Sequence, residues 1–247
     1  MPSPENVPSR PLNNLLRRLH DKDFALLAPH LQSITVDPQH QLYGAGENVE
    51  IVYFPCESTL VSFLVTNSDG RDVDTVLVGR EGAVGGIVSQ GHLPAYAKIS
   101  VKFGGPMAKL KVSDLEAAKR KSPSLDNLFA RYADCLLAQI LQSTACNAIH
   151  SIEQRTAKWI LAAMDRADDD ILPLTQEQLA FMLGVGRSYA SRVLQNFKAE
   201  NIIDTGRGAL VVRNRSALLG RSCNCNDSVK AHFEQVLRGV YPDADAN

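Results

Sequence analysis

Two arginines five positions apart, Arg187 and Arg192, sit in the most informative stretch of this chain, LTQEQLAFMLGVGRSYASRVLQNFKAENIIDTGRGALVV at 174–212. A guanidinium presents its donors in a planar fork that meets a phosphate, a carboxylate or a guanine edge through two parallel hydrogen bonds. Ser188, Tyr189 and Ser191 lie among the arginines, with Thr175 and Gln176 before them and Arg207 after. Such a set recognises anions and base edges. The chain offers no nucleophile elbow, no phosphate-binding Walker loop and no paired carboxylates, so it reads as a non-enzyme. Charge points the same way: residues 172–221 hold seven Lys or Arg against three acids, a local +4, on a chain whose net charge is −1. A basic segment on an otherwise acidic protein is the electrostatic footprint of a nucleic-acid contact.

The surrounding pattern supplies elements to carry these side chains. Thr175 with Gln178 is a capping box opening a short helix whose apolar residues are Leu179, Phe181, Met182 and Leu183. Ala180 is small enough for a second helix to approach. Gly184-Val185-Gly186 reads as a tight turn, and a second helix runs from Arg187 to about Glu200 with Val193, Leu194 and Phe197 inward. Asn201 tolerates the left-handed geometry that ends a helix. Residues 202–204 and 209–212 then flank a Thr-Gly-Arg-Gly turn as a β-hairpin. Two helices, a glycine turn and a hairpin make a winged helix-turn-helix. Its second helix fits the major groove, where arginine at its N-terminal end can reach guanine edges.

Upstream the texture is β-rich from about 33 to 112. The clearest strand is AKISVKF at 97–103, where Ala97, Ile99, Val101 and Phe103 alternate with Lys98, Ser100 and Lys102. Several short strands at this spacing predict a small barrel or double-sheet roll. Ser113 with Glu116 reads as a capping box, and Ser122-Pro123 opens a helix that nothing breaks until about Ile149. Leu125, Leu128, Tyr132 and Leu136 form an apolar stripe along it, and a helix of about 40 Å has surface to spare beyond one roll. That stripe is expected to be a dimer seam. Ser151 with Gln154 opens another helix, to about Ala167. Val229, Phe233, Val236 and Leu237 predict a terminal amphipathic helix.

The order of roll, long helix and winged helix resembles the Crp/Fnr superfamily of bacterial transcription regulators. TQEQLAFMLGVGRSYASRVL at 175–194 carries the resemblance, with the hairpin after it; YFPCESTLVSFL at 53–64 and VGREGAVGG at 78–86 look like the family's sensor domain. The resemblance implies an α+β chain: a flexible tail (1–11), a double-stranded β-helix, jelly-roll-like sensor (12–121), a dimerisation helix (122–150), a winged helix-turn-helix (151–221) and a C-terminal extension (222–247). It implies a homodimer, double-stranded promoter DNA and RNA polymerase as partners, and a small-molecule effector of unassigned identity. The effector would lie near Gly85, Gly86 and Tyr132.

The cyclic-nucleotide cassette of the best-known members is missing. Gly86 stands where a ribose-binding Glu is needed, Pro94-Ala95 replace the phosphate-binding Arg pair, and 87–97 contains no Arg. Burying a cyclic phosphate without a cation is costly. Five cysteines offer no C-x₂-C spacing. Cys223-x-Cys225 lacks two further nearby ligands, and Cys135 and Cys146 are explained by helix packing, so neither metal nor cofactor is expected. His92 and His150 read as structural, and no His-x-His pair supports a cupin enzyme, the main rival fold-sharing class. The N-terminus has no apolar signal region and no run approaches ~20 apolar residues, consistent with a cytoplasmic protein.

Overall fold

The computed structural model describes residues 10–238 except Arg71, Ser89, Gln90, Asp168 and Arg207. Seven strands build the N-terminal roll: β1 (Gln32–Val36), β2 (Gln41–Tyr43), β3 (Ile51–Pro55), β4 (Leu60–Thr66), β5 (Asp72–Val78), β6 (Lys98–Phe103) and β7 (Gly105–Lys111). They pair antiparallel in two sheets, ordered β1-β7-β3 and β2-β6-β4-β5. The alternation in β6 is realised: Ile99, Val101 and Phe103 are buried. Its charged face is not left to water, because Lys98 pairs with Asp72 at 2.7 Å and Lys102 with Asp74 at 3.1 Å.

Helix α1 (Asn14–Arg18) is capped by the Asn13 side chain, whose amide also donates to the Pro55 and Gly82 carbonyls at 2.8 Å. That ties the entry of the chain to the roll. Arg10, expected in a loose tail, is anchored: it pairs with Asp21 at 2.6 Å and lies over the Phe24 ring of α2 (Asp21–Leu27). The first nine residues of that tail lie outside the described residues.

Helix α3 (Val112–Lys121) begins one residue before the expected capping box. Val112 continues directly from β7 and its N–H donates to the Glu50 carbonyl at 2.8 Å. Glu116 is thereby freed to turn inward and pair with buried Lys119 at 2.9 Å instead of capping. Ser122 caps α4 (Pro123–Ile149), the long helix, and donates to Asp23 at 2.7 Å. Next come α5 (Ile152–Ala167), β8 (Ile171–Leu172), α6 (Gln176–Leu183), α7 (Arg187–Ala199), β9 (Ile203–Gly206), β10 (Ala209–Val212), α8 (Arg215–Arg221) and α9 (Cys225–Arg238).

One core joins Trp159, Ile160 and Met164 of α5 to the helix-turn-helix and reaches Leu60, Leu77 and Phe103 of the roll. A second lies under α4 and is closed by α9: Phe233 meets Tyr132 edge-on at 6.3 Å, Leu237 is buried, and Arg131 donates to the Val236 carbonyl at 2.8 Å. The described part of the C-terminal extension is therefore a seated helix packed along the long one. Among the described residues no helix is long and apolar enough to cross a membrane.

Candidate nucleic-acid interface

The capping box at α6 is complete: Gln178 N–H donates to Thr175 Oγ1 at 3.1 Å and Thr175 N–H to Gln178 Oε1 at 2.7 Å. Gly184 ends the helix at φ +65°, the left-handed geometry that glycine adopts without a Cβ clash. Gly186 then caps α7 through its backbone. Ala180 and Ala190 are both buried, small residues that let the two helices close on each other. Val193, Leu194 and Phe197 anchor the inner face of α7. Asn201 adopts φ +56° and turns the chain into the hairpin. There β10 pairs with β9 and, on its other edge, with β8, a third strand that its two residues were too few to reveal in the sequence. Phe181, one of the apolar residues of α6, is 43% exposed and lies beside Lys102 of the roll, with its ring centroid 5.6 Å from the ammonium.

With its inner face fixed, α7 turns Arg187, Ser188, Tyr189 and Arg192 to the surface. The Arg192 guanidinium lies 6.0 Å from the Tyr189 ring centroid, one helical turn away. Ser191 points back and donates to Gln176 Oε1 at 3.0 Å, which links α7 to the start of α6. A groove of about 420 Å³ runs between the starts of α6 and α7 and the hairpin, lined by Thr175, Gln176, Arg187, Thr205 and Gly208. Arg207 lies outside the described residues.

The local positive charge is not spread evenly. Lys198 and Arg213 pair with Asp204 at 3.1 and 3.6 Å, Arg215 with Asp165 at 2.6 Å, and Arg221 with Glu153 at 2.9 Å and with Glu200. Hydrogen bonds from Lys198 and from the Thr205 backbone hold the Asp204 carboxyl below the usual range. Among the described residues, Arg187 and Arg192 take part in no ion pair. A planar fork with no acid to satisfy it, on the outward face of a helix, is free to meet a base edge or a phosphate.

Residues 154–221 match the model of the Crp-like helix-turn-helix domain. That stretch carries a Crp-like helix-turn-helix domain, and the chain as a whole has the fold of Crp/Fnr-family structures. Solved structures with this fold include FixK2 from Bradyrhizobium japonicum (18% identity, 78% of this chain and 98% of that one, TM-score 0.65). A Crp/Fnr-family transcriptional regulator from Eubacterium rectale is similar at 14% identity over 83% of this chain and 96% of that one, TM-score 0.64. A CRP-family transcriptional regulator from Thermus thermophilus is similar at 18% identity, with 76% of this chain and 96% of that one covered, TM-score 0.64. No curated protein matches the sequence.

Within this Crp/Fnr fold, three of the sequence expectations are corrected. Leu125, Leu128 and Tyr132 do not form a dimer seam, because they are buried in the chain's own core, and Leu136 packs partly against it. The roll and α9 cover that side of α4, a covering no local pattern announces. Gly85, Gly86 and Tyr132 are instead tightly packed against their neighbours. The Tyr132 hydroxyl donates to the Ala83 carbonyl at 3.0 Å and accepts from Ala83 N–H at 2.9 Å. Gly85 has φ +110°, and a Cβ there would sit 2.3 Å from the Ile51 carbonyl oxygen; at Gly86 it would meet Val112 at 2.8 Å. These glycines permit close backbone packing inside the roll. Finally, Cys223 and Cys225 do have further side chains of ligand type beside them: the fold brings Cys146 and His150 to them from the end of α4.

Proposed function

We propose that this protein is a homodimeric, sequence-specific DNA-binding transcription regulator whose roll senses something other than a cyclic nucleotide. The observation that carries the reading is the outward face of α7, where Arg187, Ser188 and Arg192 stand exposed beside a hairpin wing while Lys198, Arg213, Arg215 and Arg221 are paired with acids. This helix enters the major groove. Arg187 and Arg192 read guanine edges, Ser188 contributes a neutral contact, and Tyr189 supports Arg192. Thr175, Gln176 and Arg207 meet the phosphate backbone and set affinity without setting sequence, with Ser191 holding Gln176 in place.

Dimerisation runs along α4, on the face that neither the roll nor α9 covers. Ala130, Asp134, Leu137, Leu141, Thr144 and Ala148 are all exposed and follow one another in alternating steps of four and three residues. That is coiled-coil spacing. Leu137, Ile140 and Leu141 are 55%, 44% and 62% exposed, an unusual amount of aliphatic surface for one helix to leave in water. A two-fold dimer on this seam presents two recognition helices to half-sites about one helical turn, 34–36 Å, apart.

The test is a selection of bound DNA sequences with the full chain and with Arg192→Ala. Wild type should select a two-fold-related site, and the variant should lose preference at one base pair per half-site. Unchanged affinity and an unchanged selected site in the variant would overturn the assignment of α7.

A further inference from the structure

Four ligand atoms from separate parts of the chain converge where α4 ends, α8 gives way to α9, and α5 passes beneath. Cys146 lies in the last turn of α4, and His150 caps the helix one turn on, its N–H donating to the Cys146 carbonyl at 3.0 Å. Cys223 lies in the short link after α8, and Cys225 opens α9. Their ligand atoms all lie within 4.8 Å of one another. Cys146 Sγ is 3.7 Å from Cys223 Sγ, and Cys225 Sγ is 3.6 Å from His150 Nδ1. The three cysteines are buried and form a small cluster of their own, apart from the large cores.

These separations discriminate between chemistries. A disulfide needs its sulfurs about 2.0 Å apart. A four-iron cube, with an iron atom for each ligand, holds its thiolates much further apart than one ion does. A single tetrahedral zinc, with bonds of about 2.3 Å to sulfur and 2.0–2.1 Å to nitrogen, has ligand–ligand edges of about 3.5–3.8 Å. Both measured edges fall there.

The surroundings fit as well. Lys158 Nζ lies 3.3 Å from Cys146 Sγ, and Gln142 Nε2 donates to Cys225 Sγ at 3.2 Å. Three thiolates and a neutral imidazole around a divalent ion leave one negative charge, which the Lys158 ammonium offsets. Donors to ligating sulfur are the usual supporting shell of such sites.

We propose that Cys146, His150, Cys223 and Cys225 form a closed tetrahedral site for one thiophilic divalent ion of the zinc class. With four protein ligands it has no open position, so it is structural. Binding exchanges three thiol protons for the ion; no oxidation state changes. The ion joins the end of the long helix to the DNA-binding domain and to α9, the two parts that flank Cys223 and Cys225. Its loss frees α9 at its first residue and loosens the link through which the roll and the recognition helix are held in one geometry.

The experiment measures metal in the full-length chain by mass spectrometry and titrates metal-free protein with cobalt(II). One zinc per chain is expected. Cobalt should give the ligand-field bands of a tetrahedral site with thiolate-to-cobalt charge transfer. Cys146→Ser and Cys223→Ser should weaken uptake by roughly 100-fold or more, beyond the 10–100-fold loss typical of a supporting residue such as Gln142. Cys56→Ser and Cys135→Ser should keep one ion per chain. His150→Cys should retain binding and shift the cobalt spectrum toward a four-thiolate site, which separates ligation from misfolding. Five freely titrating thiols with no cobalt uptake would overturn the proposal. So would a Cys146–Cys223 disulfide, iron with inorganic sulfide, or uptake indifferent to Cys223→Ser.

Discussion

Leu128 and Leu141 sit thirteen residues apart on one helix, and an aspartate at each should have opposite consequences. Leu128 is fully buried under the roll, whereas Leu141 is 62% exposed. Burying a leucine side chain is worth about 1.5–3 kcal/mol, so covering the exposed part of Leu141 is worth about 1–2 kcal/mol per protomer. A two-fold interface counts it twice, about 2–4 kcal/mol, which is roughly 30- to 1000-fold in dimer dissociation constant. An aspartate adds the cost of facing its own symmetry mate in a partly dry seam. Leu141→Asp should therefore yield a folded monomer, with thermal stability at low concentration close to wild type. Leu128→Asp should lose the fold itself, since removing a buried leucine alone costs about 2–5 kcal/mol and here a carboxylate replaces it. Sedimentation equilibrium and light scattering read the mass against the 27.0 kDa chain, and circular dichroism reads the fold. A Leu141→Asp chain that stays dimeric with unchanged affinity would refute the seam. A folded, monomeric Leu128→Asp chain would instead restore the buried stripe as the interface.

Alanine at Arg192 should cost about 1–3 kcal/mol of specific DNA binding, measured by titration at fixed salt, with smaller loss on unrelated DNA. Calorimetry with cyclic AMP or cyclic GMP should show no saturable binding below millimolar concentration, since Gly86 is packed against Val112 and residues 87–97 contain no arginine; micromolar binding coupled to tighter DNA binding would refute this. At Asp165 burial pushes the carboxyl up, but hydrogen bonds from Lys230 and Arg215 outweigh it and hold the value below the usual range. Its contribution is therefore present above the ordinary carboxylate pKa of about 4 and is lost as pH falls below that. Asp165→Asn should lower stability at neutral pH by about 1–2 kcal/mol and flatten the acid limb of a denaturation-versus-pH curve; an unchanged acid limb would show the bridge to be idle.

The helix-turn-helix was legible because its signals are local. The Thr175–Gln178 box, the left-handed Gly184, the inward Val193, Leu194 and Phe197 and the Asn201 stop all act within one or two turns, and together they dictate which side of α7 faces out. The strand alternation of β6 was legible for the same reason. A third strand of two residues beside the wing was too short to leave a pattern, and the start of α3 was misplaced because continuity from β7 outweighed a weak cap.

What covers each apolar face was decided only in three dimensions. Helix α4 has apolar residues around most of its circumference, so periodicity identified a helix with surface to bury but not which stripe meets the roll, which meets α9 and which remains for a partner. That allocation depends on a helix beginning more than seventy residues later, whose Phe233 and Leu237 close over Tyr132. The four-ligand cluster obeys the same logic. Cys146 with His150 and Cys223 with Cys225 are each an ordinary pair in the chain, and the sulfurs of Cys146 and Cys223 are separated by 77 residues. Backbone geometry places neighbours a turn apart, but only the packing of α5 and α9 against the end of α4 brings the two pairs to one point. Local sequence sets what an element is and which way its side chains turn; long-range burial selects what each face touches, because that free energy belongs to pairs of surfaces and not to either surface alone.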